Sequence, residues 1–154
     1  MNTKTMKVSD LLCMPLEQRI SRSLFQRLVV ESKNPSKELY EGKDWYLGNT
    51  PQQGIHWIKA QDGRFKAAIV KMTGKSYTDR FMTQDKEMLY YHLKAQNGEV
   101  NRTEEANRAL IEQPAHGYPV LVLDGHDGGD WIYRGRYEVI SEDGKAVTLR
   151  RMRG

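Results

Sequence analysis

"WIYRGRYEVI", residues 131–140, sets two tyrosines around an Arg-Gly-Arg step inside what otherwise reads as a β-strand. Simple alternation puts Ile132, Arg134, Arg136 and Glu138 on one face and Tyr133, Gly135, Tyr137 and Val139 on the other. A glycine within a strand marks a bulge or the close approach of another molecule, and two flanking arginines suggest that such a molecule is anionic. The stretch therefore predicts a strand with a cationic face that can bend at Gly135.

Its neighbours read as strands too. "YPVLVLD" (118–124) precedes it across the loop "GHDGGD", and "KAVTLRRM" (145–152) follows an "EDGK" turn. Further upstream, "GIHWIKA" and "RFKAAIVKMT" flank Asp62-Gly63, a hairpin signal. "KSYTDRFMTQDKEMLYYHLKA" predicts loop plus strand. "TEEANRALIEQ" predicts a short helix capped by Thr103, with Glu104 and Glu105 complementing its dipole. The N-terminal part predicts helices over 9–13 and 15–32, with Pro15 in a first turn and Leu16, Ile20, Leu24 and Leu28 recurring at i+4. "SKNPSKELYEGKDW" reads as a polar loop. Helix first, then mostly strands with one inserted helix, indicates an α+β fold with a curved or closed sheet.

The 154 residues make one domain of ordinary size, and 38% hydrophobic with 29% charged residues describes a globular chain with a solvated surface. No apolar run approaches the ~18 residues a membrane span needs. The N-terminus lacks the apolar core of a secretory signal, so a cytoplasmic location is the expectation. A single cysteine, Cys13, excludes an intramolecular disulfide and a cysteine-based zinc site. The formal charge of +4 fits either a solvated basic surface or a cationic face for phosphate.

Catalytic constellations are poorly supported. In "DGHDGGD", Asp124, His126, Asp127 and Asp130 are close together but lack the calcium-loop pattern, and a hairpin loop is the better reading. Glu41/Lys43 and Asp143/Lys145 resemble the acid-x-Lys half of a metal-dependent nuclease site, but each pair straddles a glycine in a turn-like context. His56, His92, His116 and His126 are scattered, with no nucleophile beside them. No phosphate-loop or dinucleotide fingerprint is present. Neither a catalytic residue nor a metal or other cofactor is expected. By contrast, Tyr77, Asp79, Phe81, Tyr90 and Tyr91 gather in one segment with Lys75, Arg80 and Lys86. Two readings stand: tyrosines filling a β core with their hydroxyls at the rim, or aromatic faces for bases, a carboxylate for the cytosine amine and cations for phosphate.

In order and spacing, "QQGI" (52–55), "SYTD" (76–79), "YY" (90–91), "NRAL" (107–110), "PVLV" (119–122) and "WIYRGRYEV" (131–139) resemble the SRA, or YDG, domain and its bacterial relatives in modification-dependent restriction enzymes. The resemblance implies an SRA-like member of the PUA superfamily: a twisted, partly closed β-barrel with flanking helices over 46–154, preceded by a helical part and loop over 1–45. It implies a non-catalytic reader of 5-methyl- or 5-hydroxymethylcytosine in duplex DNA that flips the base into a pocket. Tyr77, Asp79 and Tyr90 or Tyr91 would form that pocket. Gln52, Gln53 and Gly54 would lie at the DNA, and Lys75, Arg80, Arg134 and Arg136 would meet phosphates. A nuclease domain or subunit is the protein partner the resemblance implies, and the sequence leaves open whether the chain forms a homodimer. The alternatives are a PUA- or ASCH-like RNA or nucleotide binder and a small metal-dependent nuclease. Two departures stand out: the family's "YTGxGG" is here "YYHLKAQNGE", and Tyr-Asp-Gly is Tyr133-Arg134-Gly135.

Overall fold

The 131–140 stretch lies in the longest strand of a computed structural model that describes residues 6–42, 45–51, 53–73, 79–125 and 128–152. A 3-10 helix (Val8–Cys13) leads into β1 (Arg19–Ile20), α1 (Arg22–Glu31), β2 (Tyr46–Leu47), β3 (Ile55–Lys59) and β4 (Phe65–Met72). Then follow β5 (Arg80–Phe81), β6 (Met88–His92), β7 (Ala95–Gln96), β8 (Glu99–Val100), α2 (Glu105–Ile111) and α3 (Gln113–His116). β9 (Val120–Asp124), β10 (Trp131–Glu142) and β11 (Ala146–Arg151) complete the chain. The large sheet runs β2-β3-β4-β9-β10-β11-β6-β5, with β1 added to β10, and β7-β8 stands apart as a hairpin. β4 and β9 are parallel, and the other pairs are antiparallel. The result is a mixed α/β architecture in which a large sheet dominates.

The sheet curls. β4 and β6 are separated by three strands in the pairing order, yet the Tyr91 hydroxyl donates to the Lys71 carbonyl at 3.2 Å. Among the described residues no pairing joins β2 to β5, so the strand path stays open at both ends. One apolar cluster fills the concave space between these strands and α2, with Val70, Leu89, Tyr91, Leu110, Val122 and Tyr137 among its members. A second, on the other face, joins Leu11, Phe25 and Leu28 of the N-terminal segments to Ile69, Leu123 and Trp131.

β10 serves both clusters because it is bulged. Tyr133 pairs with Leu123 and Gly135 with Val122, so Arg134 is the extra residue, and Gly135 has φ +116°. That backbone conformation favours glycine. Past the bulge the faces exchange: Trp131 and Tyr133 belong to the N-terminal cluster, whereas Tyr137 and Val139 belong to the concave one. Simple alternation along 131–140 is thus corrected. Arg134 and Arg136 do not share a face. Arg134 reaches Asp124, while Arg136 donates to the Leu12 carbonyl of the N-terminal segment.

The expected helix over 15–32 is shorter. Glu17 has φ +70° and its N–H donates to Tyr133 O at 2.9 Å, while Tyr133 N–H donates to Gln18 O at 2.9 Å. β11 reaches along β10 only as far as Tyr137, and residues 17–20 pair with the edge left beside Ile132 and Trp131. The helix then starts where the Ser21 hydroxyl accepts from Leu24 N–H at 3.1 Å. Leu16, counted into the apolar stripe, is exposed. α2 is not capped by Thr103, whose N–H and hydroxyl both go to Asn101 Oδ1. No helix among the described residues is long and apolar enough to cross a membrane.

Candidate nucleic-acid interface

Three segments far apart in sequence meet around a cavity of about 230 Å³: the loop before β3, the Asp79 region with the end of β6, and α2. Asn49, Gln53, Gly54, Asp79, Tyr91 and His92 line it. The volume falls below the roughly 300–1,000 Å³ of drug-sized ligand sites and suits a single ring. Asp79 Oδ1 accepts the His92 N–H at 2.7 Å and lies 3.3 Å from His92 Nδ1. An accepted backbone donor fixes the carboxylate's orientation, as a hydrogen-bonding site for an amine requires.

Tyr91 forms the buried wall. Burial, then the neighbouring Asp79 carboxylate, pushes its phenol above its ordinary range, so it stays neutral and donates to Lys71 O. A Cβ on Gly54 would come within 2.5 Å of that hydroxyl, which accounts for the glycine there. Tyr90, its neighbour in the sequence, points the other way. Its hydroxyl donates to Asp143 at 2.7 Å and its ring lies under Arg80, 4.9 Å from the guanidinium carbon. The structure thus brings Tyr91, Asp79, Gln53 and Gly54 together and leaves Tyr90 and Arg80 outside the cavity lining. Tyr77, Gln52 and Lys75 lie outside the described residues.

Two buried groups hold the loop that carries Gln53. Lys71, 7% exposed in the buried half of β4, donates from Nζ to Pro51 O at 2.8 Å, while its N–H donates to Gly54 O at 2.9 Å. Burial, then repulsion from Arg22, lowers its ammonium pKa to about 8. His56 Nδ1 lies 3.0 Å from Gly48 O and Nε2 3.0 Å from Gln53 O. Burial and the nearby Lys71 hold its pKa down to about 4, outweighing the two carbonyl acceptors. Across the cavity, Asn107 of "NRAL" is fully buried, accepts the Lys94 N–H and donates to Lys94 O and Asn101 O. It thereby roots the β7-β8 hairpin, whose turn residues Asn97 and Gly98 have φ +54° and +79°. Sequence reading assigned no role to Lys71, His56, Asn49 or Asn107. A lone lysine within "AAIVKM" and the Asn-Gly pair were the available signals.

The remaining candidates serve the framework. Arg134, 17% exposed, donates to Asp124 at 2.9 Å and pairs with Glu17. Glu41 accepts from Ser9 N–H and Oγ, and Asp143 accepts from Tyr90 and from the N–H groups of Lys145 and Ala146. The Asp143/Lys145 pair is thus a turn. Lys43, His126 and Asp127 lie outside the described residues. Among the described residues, no group of three or more His, Cys, Asp or Glu side chains is placed to hold a metal.

No family model matches the chain, and no curated protein matches it. Solved structures do. The SUVH5 SRA domain in its complex with methylated CHH DNA is 25% identical at TM-score 0.53, over 68% of this chain and 76% of that one. KRYPTONITE in complex with mCHG DNA and SAH superposes on 92% of this chain and 32% of its own, at TM-score 0.60 and 17% identity. The DNA modification-dependent restriction endonuclease AspBHI matches 70% of this chain and 36% of its own, at TM-score 0.51 and 11% identity. The last two likenesses concern the fold alone. The chain has an SRA-like fold.

Proposed function

We propose that this chain reads 5-methyl- or 5-hydroxymethylcytosine in duplex DNA by taking the base out of the stack into the Asp79–Tyr91 cavity. It would serve as the recognition module of a modification-dependent restriction system. The observation that carries this reading is the convergence of Asp79, Tyr91 and the Gln53–Gly54 loop on one ring-sized cavity. The similarity to SRA domains solved with methylated DNA supports it. An extrahelical cytosine needs an acceptor for its exocyclic amine and aromatic surface in place of the lost stacking. Asp79 supplies the acceptor and Tyr91 one wall, with Tyr77 as the second. Gln52 and Gln53 would contact the duplex, Gln53 from the loop braced by Lys71 and His56. Lys75 and Arg80, before and after Asp79 in the sequence, would take phosphates. The turn of the β7-β8 hairpin lies in "YYHLKAQNGE", the stretch that takes the sequence place of the family's glycine-rich "YTGxGG". Arg134 and Arg136 are committed elsewhere in the fold and contribute charge at longer range.

We read the whole chain as one unit of the SRA-like, partly closed barrel type, working in the cytoplasm without cleaving DNA itself. Cleavage would belong to another domain or subunit. The test is a panel of duplexes differing only at the C5 substituent of one cytosine. Asp79→Ala is expected to lose the preference for modified duplex and retain weak, salt-sensitive binding, because phosphate contacts supply the non-specific affinity. Binding of modified duplex by Asp79→Ala as tightly as by the parent would sink the pocket assignment.

A further inference from the structure

We propose that a second cavity, of about 270 Å³ beside the Gly135 bulge, is a phosphate-binding site with Arg151 as its principal donor. Leu16 and Glu17 from the segment before β1, Gln84–Lys86 from the β5-β6 turn, Arg134 and Arg151 converge on it. It lies at the opposite end of β6 from the Asp79–Tyr91 cavity: Lys86 precedes that strand, whereas Tyr91 and His92 end it. No part of the proposed base pocket lines it.

Arg151 carries the inference. Its Nε is buried and has no hydrogen-bond partner among the described residues. Its terminal nitrogen makes only a long bond of 3.3 Å to the Tyr137 hydroxyl, with the guanidinium carbon 5.6 Å from that ring's centre. No carboxylate among the described residues pairs with it. A buried guanidinium donor without an acceptor is among the costlier unsatisfied groups, and its planar fork matches phosphate oxygens. Two more cations line the cavity, Lys86 and Arg134. Two carboxylates face these three cations: Glu17 pairs with Arg134, and Asp85 Oδ1 accepts from the Thr83 hydroxyl at 2.6 Å and the Glu87 N–H at 3.0 Å, while Asp85 also feels the Arg151 charge. Gly135 keeps the approach open, since a Cβ there would lie 3.0 Å from Leu16 Cδ2 and 3.5 Å from Arg151 Nε. Phosphate can come from the DNA backbone or from solution, and the chemistry of recognition is the same.

The experiment titrates the whole chain with inorganic phosphate while following the Arg151 Nε–Hε resonance by NMR, with sodium chloride at matched ionic strength as control. A saturable shift with phosphate and none with chloride is expected. Arg151→Gln should weaken phosphate binding at least about tenfold, the loss of a charge-assisted hydrogen bond. Lys86→Gln, an exterior change that keeps the fold should Arg151→Gln not, should weaken it about threefold. A short unmodified duplex that moves the same resonance, and is displaced by phosphate, identifies the backbone as the source. No response to that duplex identifies free phosphate. Shifts equal in phosphate and chloride, or phosphate affinity unchanged in Lys86→Gln, would overturn the proposal. Such failure leaves the base reading untouched, because that reading is tested at Asp79 with C5-substituted duplexes.

Discussion

Trp131 and Tyr133 share a strand and a spacing with Tyr137 and Val139, yet the two pairs close different apolar clusters. The first pair faces Phe25 and Leu28 and is fastened by polar links to the N-terminal segments. Arg22 lies 4.0 Å from the Trp131 ring and donates to Gly125 O and Gly129 O, and residues 17–20 pair along the strand edge. The second pair faces the concave cluster to which Tyr91, the wall of the proposed base cavity, belongs. One residue of bulge separates them. A single strand can therefore anchor a framework with one half and shape a binding face with the other, provided its faces exchange between the two.

The sharpest way to break this division is Arg134→Met. The guanidinium sits in the bulge beside Asp124, which is 4% exposed, and removing it takes one cation from both that buried carboxylate and Glu17. A loss of about 3–5 kcal/mol is expected in chemical denaturation. A loss under ~1 kcal/mol would mean that the pair is not what fixes the first half.

Acid probes the braced loop from the side of the first pair, where His56 meets the Phe25 ring edge-on at 5.2 Å. His56 has a folded pKa near 4, depressed from an unfolded value near 6.5. The neutral ring therefore contributes stability that is complete above pH 6.5 and is lost as pH falls through about 4. The ceiling is roughly 3 kcal/mol, at 1.36 kcal/mol for each unit of pKa difference. His56→Gln should flatten the stability profile between pH 6.5 and 4; an unchanged slope would remove His56 from the account.

Gly135→Ala should cost about 1–3 kcal/mol, because φ +116° is strained for any side chain and Leu16 must give way. Thermal melts would read this loss. If the substitution leaves stability unaltered, the strand tolerates the exchange of faces without glycine.

Much of the architecture was legible. Asp62-Gly63, the alternating runs of β3 and β4 and the apolar run of β9 carry their signals locally, through turn chemistry and side-chain period. The β7-β8 hairpin carries an Asn97-Gly98 turn signal, but residues 95–100 lack the apolar alternation that marks a strand pair. The N-terminal helix was overextended because Leu16 and Ile20 fit an i+4 stripe. Their segment instead supplies backbone partners to β10, a pairing that no local pattern encodes. Motif order marks Asp79 for a base pocket and Gln53 and Gly54 for a DNA-facing loop, and the fold brings all three to one cavity, but adjacency could not choose between Tyr90 and Tyr91.

What the sequence by itself determined, then, is the succession of elements and the chemistry available to them: strands, turn glycines, a basic balance, and an aromatic-carboxylate segment. Tertiary structure alone decided which tyrosine walls the cavity, which arginine is engaged by a carboxylate, and that Lys71 and His56 brace a loop. The physical reason is range. Side-chain period and turn preference act over a few residues. The contacts of Tyr91 with Lys71, Arg134 with Glu17 and Arg151 with Tyr137 arise only once the sheet has curled and β10 has bulged.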